Sequence, residues 1–142
     1  MDRVESLVYD LGPVDCRSNH VFVHGDASPG NLLVDDGTVT AMLDFEWARF
    51  GPPDLELLPW LVWTERDDPR RQLVVVNWLR DACPRLFDGA DLDQRLLLYQ
   101  VAYNLRGLFV WPPDGPEVGL PPSHPVRRLR ELLQTRNPYT PV

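Results

Sequence analysis

Short apolar runs separated by polar turns fill the first third of the chain, and this pattern predicts strands. The run Val21–Val23 predicts one short strand. Leu32–Val34 and Thr38–Leu43 predict two more, and Asp35-Asp36-Gly37 between them is a tight-turn sequence. Residues 32–43 are therefore expected to form a β-hairpin with polar groups at its outer ends.

Beyond Gly51 the apolar positions recur at helical spacing. Helices are predicted from Pro53 to about Trp63, from about Pro69 to Ala82, over 91–109, over 126–133 and, before the strands, over Arg3–Leu11. Proline and glycine make 111–122 a loop, and the tail 137–142 is expected to be frayed. The pattern predicts a single domain over 1–142 with an α+β fold that is mostly α-helical.

The composition and charge of the chain limit the partners and the location that can be expected. The chain has 142 residues and a net charge of −7, which disfavours nucleic acid as a partner and tolerates a cationic one. No apolar run is long enough to span a membrane, and the N-terminus lacks the apolar core of a signal peptide. Cys16 and Cys83 match no metal-binding spacing and are interpreted as ordinary thiols. A cytoplasmic protein is expected.

The polar residues with chemical potential are concentrated in HGDASPGN at 24–31 and LDFEW at 43–47. Phosphoryl transfer needs a carboxylate that orients the attacking hydroxyl and hard oxygen ligands for magnesium. Asp26 fits the base, while Asn31 and Asp44 fit the metal ligands. Because the predicted hairpin returns the chain on itself, Asn31 and Asp44 are expected to be neighbours in space.

The joint occurrence of His-Gly-Asp-x4-Asn, a hairpin and Asp-Phe resembles the aminoglycoside phosphotransferase family, relatives of the protein kinases that include choline and homoserine kinases. The likeness extends to GPPDLEL at 51–57 and covers about residues 20–135. It implies a protein-kinase-like C-terminal lobe in which a small hairpin carries the catalytic and metal site. It also implies Mg²⁺ and ATP as cofactors and a small-molecule hydroxyl, which can be cationic, as the phosphate acceptor.

The resemblance assigns roles to individual residues. It implies Asp26 as the catalytic base, Asn31 and Asp44 as magnesium ligands, and structural roles at the site for His24, Gly25 and Glu56. Glu56 takes the position of the family's acidic residue in the segment after the hairpin, with Asp54 as a substitute. The family often has Leu-His-Pro after the catalytic Asp, whereas this chain has Ala27-Ser28-Pro29, so the loop near the substrate can differ in shape.

Family members also have a nucleotide-clamping lobe with a glycine-rich loop and a phosphate-binding lysine. Only 23 residues precede His24, they contain no G-x-G-x-x-G, and all 14 basic residues of the chain are arginine. We therefore expect a catalytic lobe without its N-terminal lobe, in which the cofactor-binding residues are unknown and nucleotide binding is weak. A truncation, a natural fragment and half of a split enzyme completed by a partner all remain open, as does activity of the chain alone.

The alternative function is a non-catalytic kinase-fold fragment that serves as a binding or self-association module, for example a homodimer. The acceptor also stays open among an aminoglycoside, choline, homoserine, a sugar and a peptide hydroxyl. Among other polar residues, Glu46 is interpreted as solvated at the hairpin end and not as an extra metal neighbour. His20 and His124 are interpreted as surface or capping residues, and Arg127, Arg128 and Arg130 as a solvated helix face.

Overall fold

The computed structural model describes residues 20–67, 69–88, 91–113 and 119–134, with the side chains of 63–73 outside that description. The chain divides into two compact units, one comprising 15–92 and the other 1–14 and 93–142. The described residues form an α+β fold that is mostly helical, as predicted, and it has two small antiparallel sheets, of which only the hairpin was predicted. The predicted helix at Arg3–Leu11, Cys16 and the tail 137–142 lie outside the described residues.

The unit 15–92 holds all the described strands. They are β1 (Val21–Val23), β2 (Leu32–Asp35), β3 (Thr38–Met42) and β4 (Arg49–Gly51). Short 3-10 turns cover Pro29–Asn31, Phe45–Trp47, Pro53–Glu56 and Pro84–Leu86. Two helices follow the strands, α1 (Leu57–Asp67) and α2 (Pro69–Ala82).

The predicted hairpin is present as β2 paired with β3, in a register that puts Asp35 opposite Thr38. Asp36 and Gly37 form the connection with φ of 45° and 73°, the left-handed pair of a two-residue hairpin turn. Strand β3 ends at Met42, one residue before the predicted end. The pairing nevertheless continues, because the Leu43 amide donates to the Asn31 carbonyl at 2.8 Å.

The pairing of β1 with β4 was not predicted. Val21, Phe22 and Val23 pair with Gly51, Phe50 and Arg49, respectively. On one face Val23 is buried, and on the other the rings of Phe22 and Phe50 meet edge to face with centroids 6.1 Å apart. This ribbon brings the chain just after the hairpin alongside the chain that leads into His24.

The predicted helix from Pro53 begins as a 3-10 turn and becomes α-helical only at Leu57. Pro52 is extended, and the tight turn after it buries Asp54 and Leu55. The core of this unit is built from apolar side chains of β1, the turn and both helices: Val23, Leu55, Leu57, Leu58, Leu61 and Leu79. The core therefore lies beneath the strand that ends at the candidate site.

The second unit contains α3 (Leu92–Val110) and α4 (Pro125–Gln134), close to the predicted bounds. Its buried apolar cluster is Leu97, Val101, Leu129 and Leu132, with Leu108 packed against it. A Cβ at Gly107 would lie 2.8 Å from Cγ of Pro125, so this glycine permits the close approach of the two helices. None of the helices in the described ranges is both long and apolar enough to cross a membrane.

His124 caps α4, which is one of the two roles expected of it, and the other expected role, a surface position, was wrong. Its side chain is 0% exposed, Nδ1 accepts the Val126 amide at 3.2 Å, and the ring lies against Trp111 with centroids 4.6 Å apart. The arginines that follow make local contacts. Arg127 donates to the Leu120 carbonyl, and Arg128 pairs with Glu131 at 2.9 Å.

Candidate functional site

The candidate site begins where β1 ends. Val23 is anchored in the core, and His24, the next residue, is 5% exposed. Gly25 then takes φ of +79°, a left-handed conformation that suits glycine. This sharp turn lifts Asp26 out of the strand direction and leaves its carboxyl partly exposed at the start of the loop 26–31.

His24 joins the loop to the far end of the hairpin. Its Nε2 lies 2.8 Å from the Leu43 carbonyl, and its Nδ1 accepts the Asp26 amide at 3.3 Å. Since a carbonyl can only accept and an amide can only donate, these partners define the neutral ring with the proton on Nε2. The ring also packs edge-on against Phe45, with centroids 4.4 Å apart. His24 thus fixes both the residue before Asp44 and the residue after it.

Glu56 holds the same loop from the other side. Its carboxylate accepts the His24 amide, and the Gly25 amide lies 3.4 Å from each of its oxygens. A carboxylate that receives backbone N–H groups makes charge-assisted hydrogen bonds, which are stronger than neutral ones. Glu56 therefore ties the turn at Gly25 to the 3-10 turn Pro53–Glu56.

Asp26 and Asn31 are in direct contact. The Asn31 Nδ2 donates to the Asp26 carbonyl at 2.8 Å and to the Asp26 Oδ2 at 2.9 Å. Backbone bonds shape the loop between them, since Ser28 N donates to the Asp26 carbonyl and Asn31 N donates to the Ser28 carbonyl. With Nδ2 committed to Asp26, the Asn31 Oδ1 makes no hydrogen bond within the described part of the chain.

Asp44 follows Leu43 at the same end of the hairpin as Asn31, because the Leu43 amide is bonded to the Asn31 carbonyl. Its backbone is left-handed, with φ of 62° and ψ of 66°, a strained conformation for a residue other than glycine. The side chain is exposed and makes no capping hydrogen bond to the 3-10 turn that follows. The structure therefore places the backbones of Asn31 and Asp44 at the same end of the hairpin.

Burial raises the pKa of the Asp26 carboxyl above its ordinary value. The negative charges of Asp44 and Glu46 raise this pKa further, while the hydrogen bond from Asn31 lowers it. The charges of two neighbouring carboxylates thus act on Asp26 at this site. A raised pKa makes Asp26 a stronger proton acceptor than an ordinary aspartate.

The hydrogen bonds that Glu46 and Arg49 make to Trp47 were not predicted from the sequence. Glu46 is exposed, as expected, yet it accepts the Trp47 indole N–H at 2.6 Å. Arg49 Nη1 donates to the Trp47 carbonyl at 2.7 Å. The only hint in the sequence is the closeness of these residues to Asp44, which does not reveal which groups they contact.

The chemistry of these groups fits magnesium. Asn31 Oδ1 and the Asp44 carboxylate are hard oxygen donors at one end of the hairpin, and Mg²⁺ takes few protein ligands together with water and phosphate oxygens. No group of three or more His, Cys, Asp or Glu able to hold a metal occurs among the described residues.

Two carboxylates and an amide thus lie at this end of the hairpin, and phosphoryl transfer uses groups of these types. The family model described as the phosphotransferase enzyme family (APH) matches residues 2–88, more than half of the chain. The chain belongs to this phosphotransferase family, as its sequence motifs indicated. The match contains all six candidate site residues and stops before α3. Neither a comparison with curated proteins nor one with solved structures gave a match.

Proposed function

We propose that this chain carries the catalytic base and magnesium ligands of an ATP-dependent phosphotransferase that acts on a hydroxyl of a small molecule. Family membership gives a phosphotransferase-like function. The observation that carries the finer proposal is the shared geometry of Asp26, Asn31 and Asp44 at the end of one hairpin. The part of the chain from β1 to α2 then corresponds to the catalytic part of a kinase-like C-terminal lobe.

In this proposal Asp26 accepts a hydrogen bond from the acceptor hydroxyl, orients its oxygen and takes its proton. The raised pKa of Asp26 supports this role, because a base works best when its pKa lies nearer to the working pH. Asn31 keeps the carboxyl in one orientation through its bond to Oδ2. Oδ1 of Asp26 is thereby left to face the acceptor.

Asn31 Oδ1 and the Asp44 carboxylate would hold Mg²⁺, which would neutralise charge on the nucleotide phosphates. His24 and Glu56 would keep these ligands in register, since they tie the loop to Leu43 and to the 3-10 turn at 53–56. Their bonds are to backbone groups, so their roles in the proposal are structural.

A phosphotransferase also needs a cation on the transferred phosphate, and these 142 residues contain no lysine. We therefore propose that residues outside this sequence, on the same polypeptide or on a partner, supply that cation and cover the nucleotide. The exposed strand surface supports this step. This name covers the large apolar side chains in the strands and just after β3 that are at least 39% exposed: Val21, Phe22, Leu33, Val34, Val39, Met42, Leu43, Phe45 and Phe50.

The net negative charge of the part of the chain that holds the site favours a positively charged phosphate acceptor. Residues 15–92 contain 14 carboxylates and 7 arginines, a net charge of −7 for this stretch. Asp44 and Glu46 lie close enough to Asp26 to raise its pKa. A small molecule with both a hydroxyl and an ammonium group would be attracted to this field, and the attraction would fall with ionic strength.

The experiment is an ATP-dependent phosphorylation assay on the full-length protein, or on this chain complemented by the partner that supplies the cation. It uses a panel of hydroxyl compounds, with and without an ammonium group, followed by mass spectrometry. We expect Mg²⁺-dependent phosphorylation that Asp26→Asn reduces by about 10³-fold or more. Asp36→Asn is the matched control, because it makes the same charge change at the hairpin turn, where asparagine tolerates a positive φ. Equal rates for Asp26→Asn and the wild type would contradict the assignment of the base.

The exposed strand surface also supports a second candidate, a self-association module. Two-stranded sheets are marginal on their own, and large exposed apolar surfaces commonly mark interfaces. Sedimentation velocity over a range of concentrations tests this candidate. Dimers that Phe22→Ser weakens and Val74→Ser leaves unchanged would support it, since Val74 is equally exposed but lies on α2. A monomer at all concentrations would exclude it.

A further inference from the structure

Arg49 lies in β4 opposite Val23 of β1, so its backbone is fixed beside the strand that leads into the catalytic loop. Its side chain turns back along its own chain, and Nη1 donates to the Trp47 carbonyl at 2.7 Å. This carbonyl belongs to the last residue of the 3-10 turn Phe45–Trp47. Terminal carbonyls of such turns lack helical partners, so the guanidinium satisfies a group that the turn leaves open.

The same guanidinium lies against Gly25. A Cβ built on Gly25 would sit 2.9 Å from Arg49 Nη1 and 2.7 Å from the Trp47 carbonyl oxygen. Both distances are below normal van der Waals contact. The arginine and the Trp47 carbonyl thus occupy the space into which a side chain at position 25 would extend, so the turn after Asp44 packs directly against the loop before Asp26.

We infer that Arg49 is a positioning residue that holds the Asp44 turn against the Gly25–Asp26 loop and so sets the spacing between the metal carboxylate and the base. Asp44 is the residue that begins this turn, and its left-handed backbone is unfavourable unless its surroundings hold it. When the hydrogen bond from Arg49 is lost, the turn can relax and carry Asp44 away from Asn31. This inference rests on the proposed metal site.

Arg49 acts through the turn and not directly on the base. Its guanidinium donates to the Trp47 carbonyl, and among the described residues it makes no hydrogen bond to Asp26. Replacing Arg49 should therefore change metal affinity while the stability of the fold changes little, because the side chain is exposed.

The test is a Mn²⁺ titration, followed by the electron paramagnetic resonance signal of the free ion, with thermal unfolding measured on the same samples. Arg49→Met keeps the aliphatic stem and removes the donors, and we expect Mn²⁺ to bind about tenfold more weakly with little change in Tm. Arg49→Lys keeps a donor and should fall between Arg49→Met and the wild type. Arg80→Met is the control, since Arg80 lies on α2 over the Phe87 ring.

Wild-type affinity in both Arg49 variants would overturn the inference. Asp44→Asn separates this outcome from a failure of the proposed function. If Asp44→Asn binds Mn²⁺ as tightly as the wild type, the metal site itself is misplaced. If Asp44→Asn loses binding while the Arg49 variants keep it, only the positioning role is wrong.

Discussion

Replacing Gly25 with alanine tests the close meeting of the catalytic loop with the turn after Asp44. Two separate penalties are expected. The first is the positive φ of +79°, which costs an L-residue about 1–2 kcal/mol. The second is the overlap of the new Cβ with the Trp47 carbonyl oxygen at 2.7 Å, a backbone atom that cannot rotate away. Forcing such a group into a packed region typically costs about 1–3 kcal/mol.

The chain offers controls that separate the two penalties. Gly37 also has a positive φ, 73°, but a Cβ there would meet nothing within 4 Å. Gly37→Ala should therefore show the strain alone, about 1–2 kcal/mol. A Cβ at Gly119 would meet nothing, and this residue does not have a positive φ. Gly119→Ala should be neutral or slightly stabilising, because alanine restricts the unfolded chain.

Urea unfolding followed by circular dichroism gives the free energy of unfolding of all three variants. We expect Gly25→Ala to lose about 3 kcal/mol, Gly37→Ala about half as much and Gly119→Ala nothing. Equal losses for Gly25→Ala and Gly37→Ala would refute the close approach at Gly25. The turn after Asp44 would then not be packed against the loop, and the site geometry described above would be wrong.

Two further predictions concern the charged groups of the site. The pKa of Asp26 is raised in the folded protein, so the ionised form of Asp26 destabilises the fold. This loss of stability appears as the pH rises from the unfolded pKa of about 3.9 through the folded pKa. Asp26→Asn should thus raise Tm at pH 7 and bring no gain below about pH 4, and scanning calorimetry at both pH values would show this. A lower Tm at pH 7 would contradict this prediction. Glu56→Gln should cost about 1–2 kcal/mol of unfolding free energy in urea, since it weakens the bonds to the His24 and Gly25 amides. The control is Glu131→Gln, which breaks an exposed ion pair with Arg128 and should cost less than about 0.5 kcal/mol of unfolding free energy. Similar losses for Glu56→Gln and Glu131→Gln would contradict the structural role of Glu56.

The local elements of the site could be predicted from sequence because their signals are local. The apolar runs around Asp35-Asp36-Gly37 define the hairpin, and the hairpin alone implies that Asn31 and Asp44 are near one another. The family motifs then suggest a role for each. The family itself is confirmed by the match over residues 2–88, whereas the roles stay predictions.

Features that depend on distant partners could not be predicted. Strand β4 has only three residues, so its sequence gives no periodic signal. Its partner β1 lies on the other side of the loop and the hairpin in the sequence, so no local pattern reveals the pairing. The bond of Glu56 to the His24 amide joins residues that are 32 positions apart, and only the family pattern hinted at it. His124 reads as an ordinary polar residue between prolines, and its complete burial follows from tertiary packing against Trp111.

The most direct measurement of the central claim is the effect of Mn²⁺ on the NMR signal of the Asn31 side-chain amide. A paramagnetic ion held by Asn31 Oδ1 and the Asp44 carboxylate would broaden this signal at low metal concentration. We predict that the broadening disappears in Asp44→Asn and persists in Asp36→Asn, which removes a carboxylate from the other end of the hairpin. An Asn31 signal that stays sharp in the wild type, or that broadens equally in Asp44→Asn, would contradict a shared metal site.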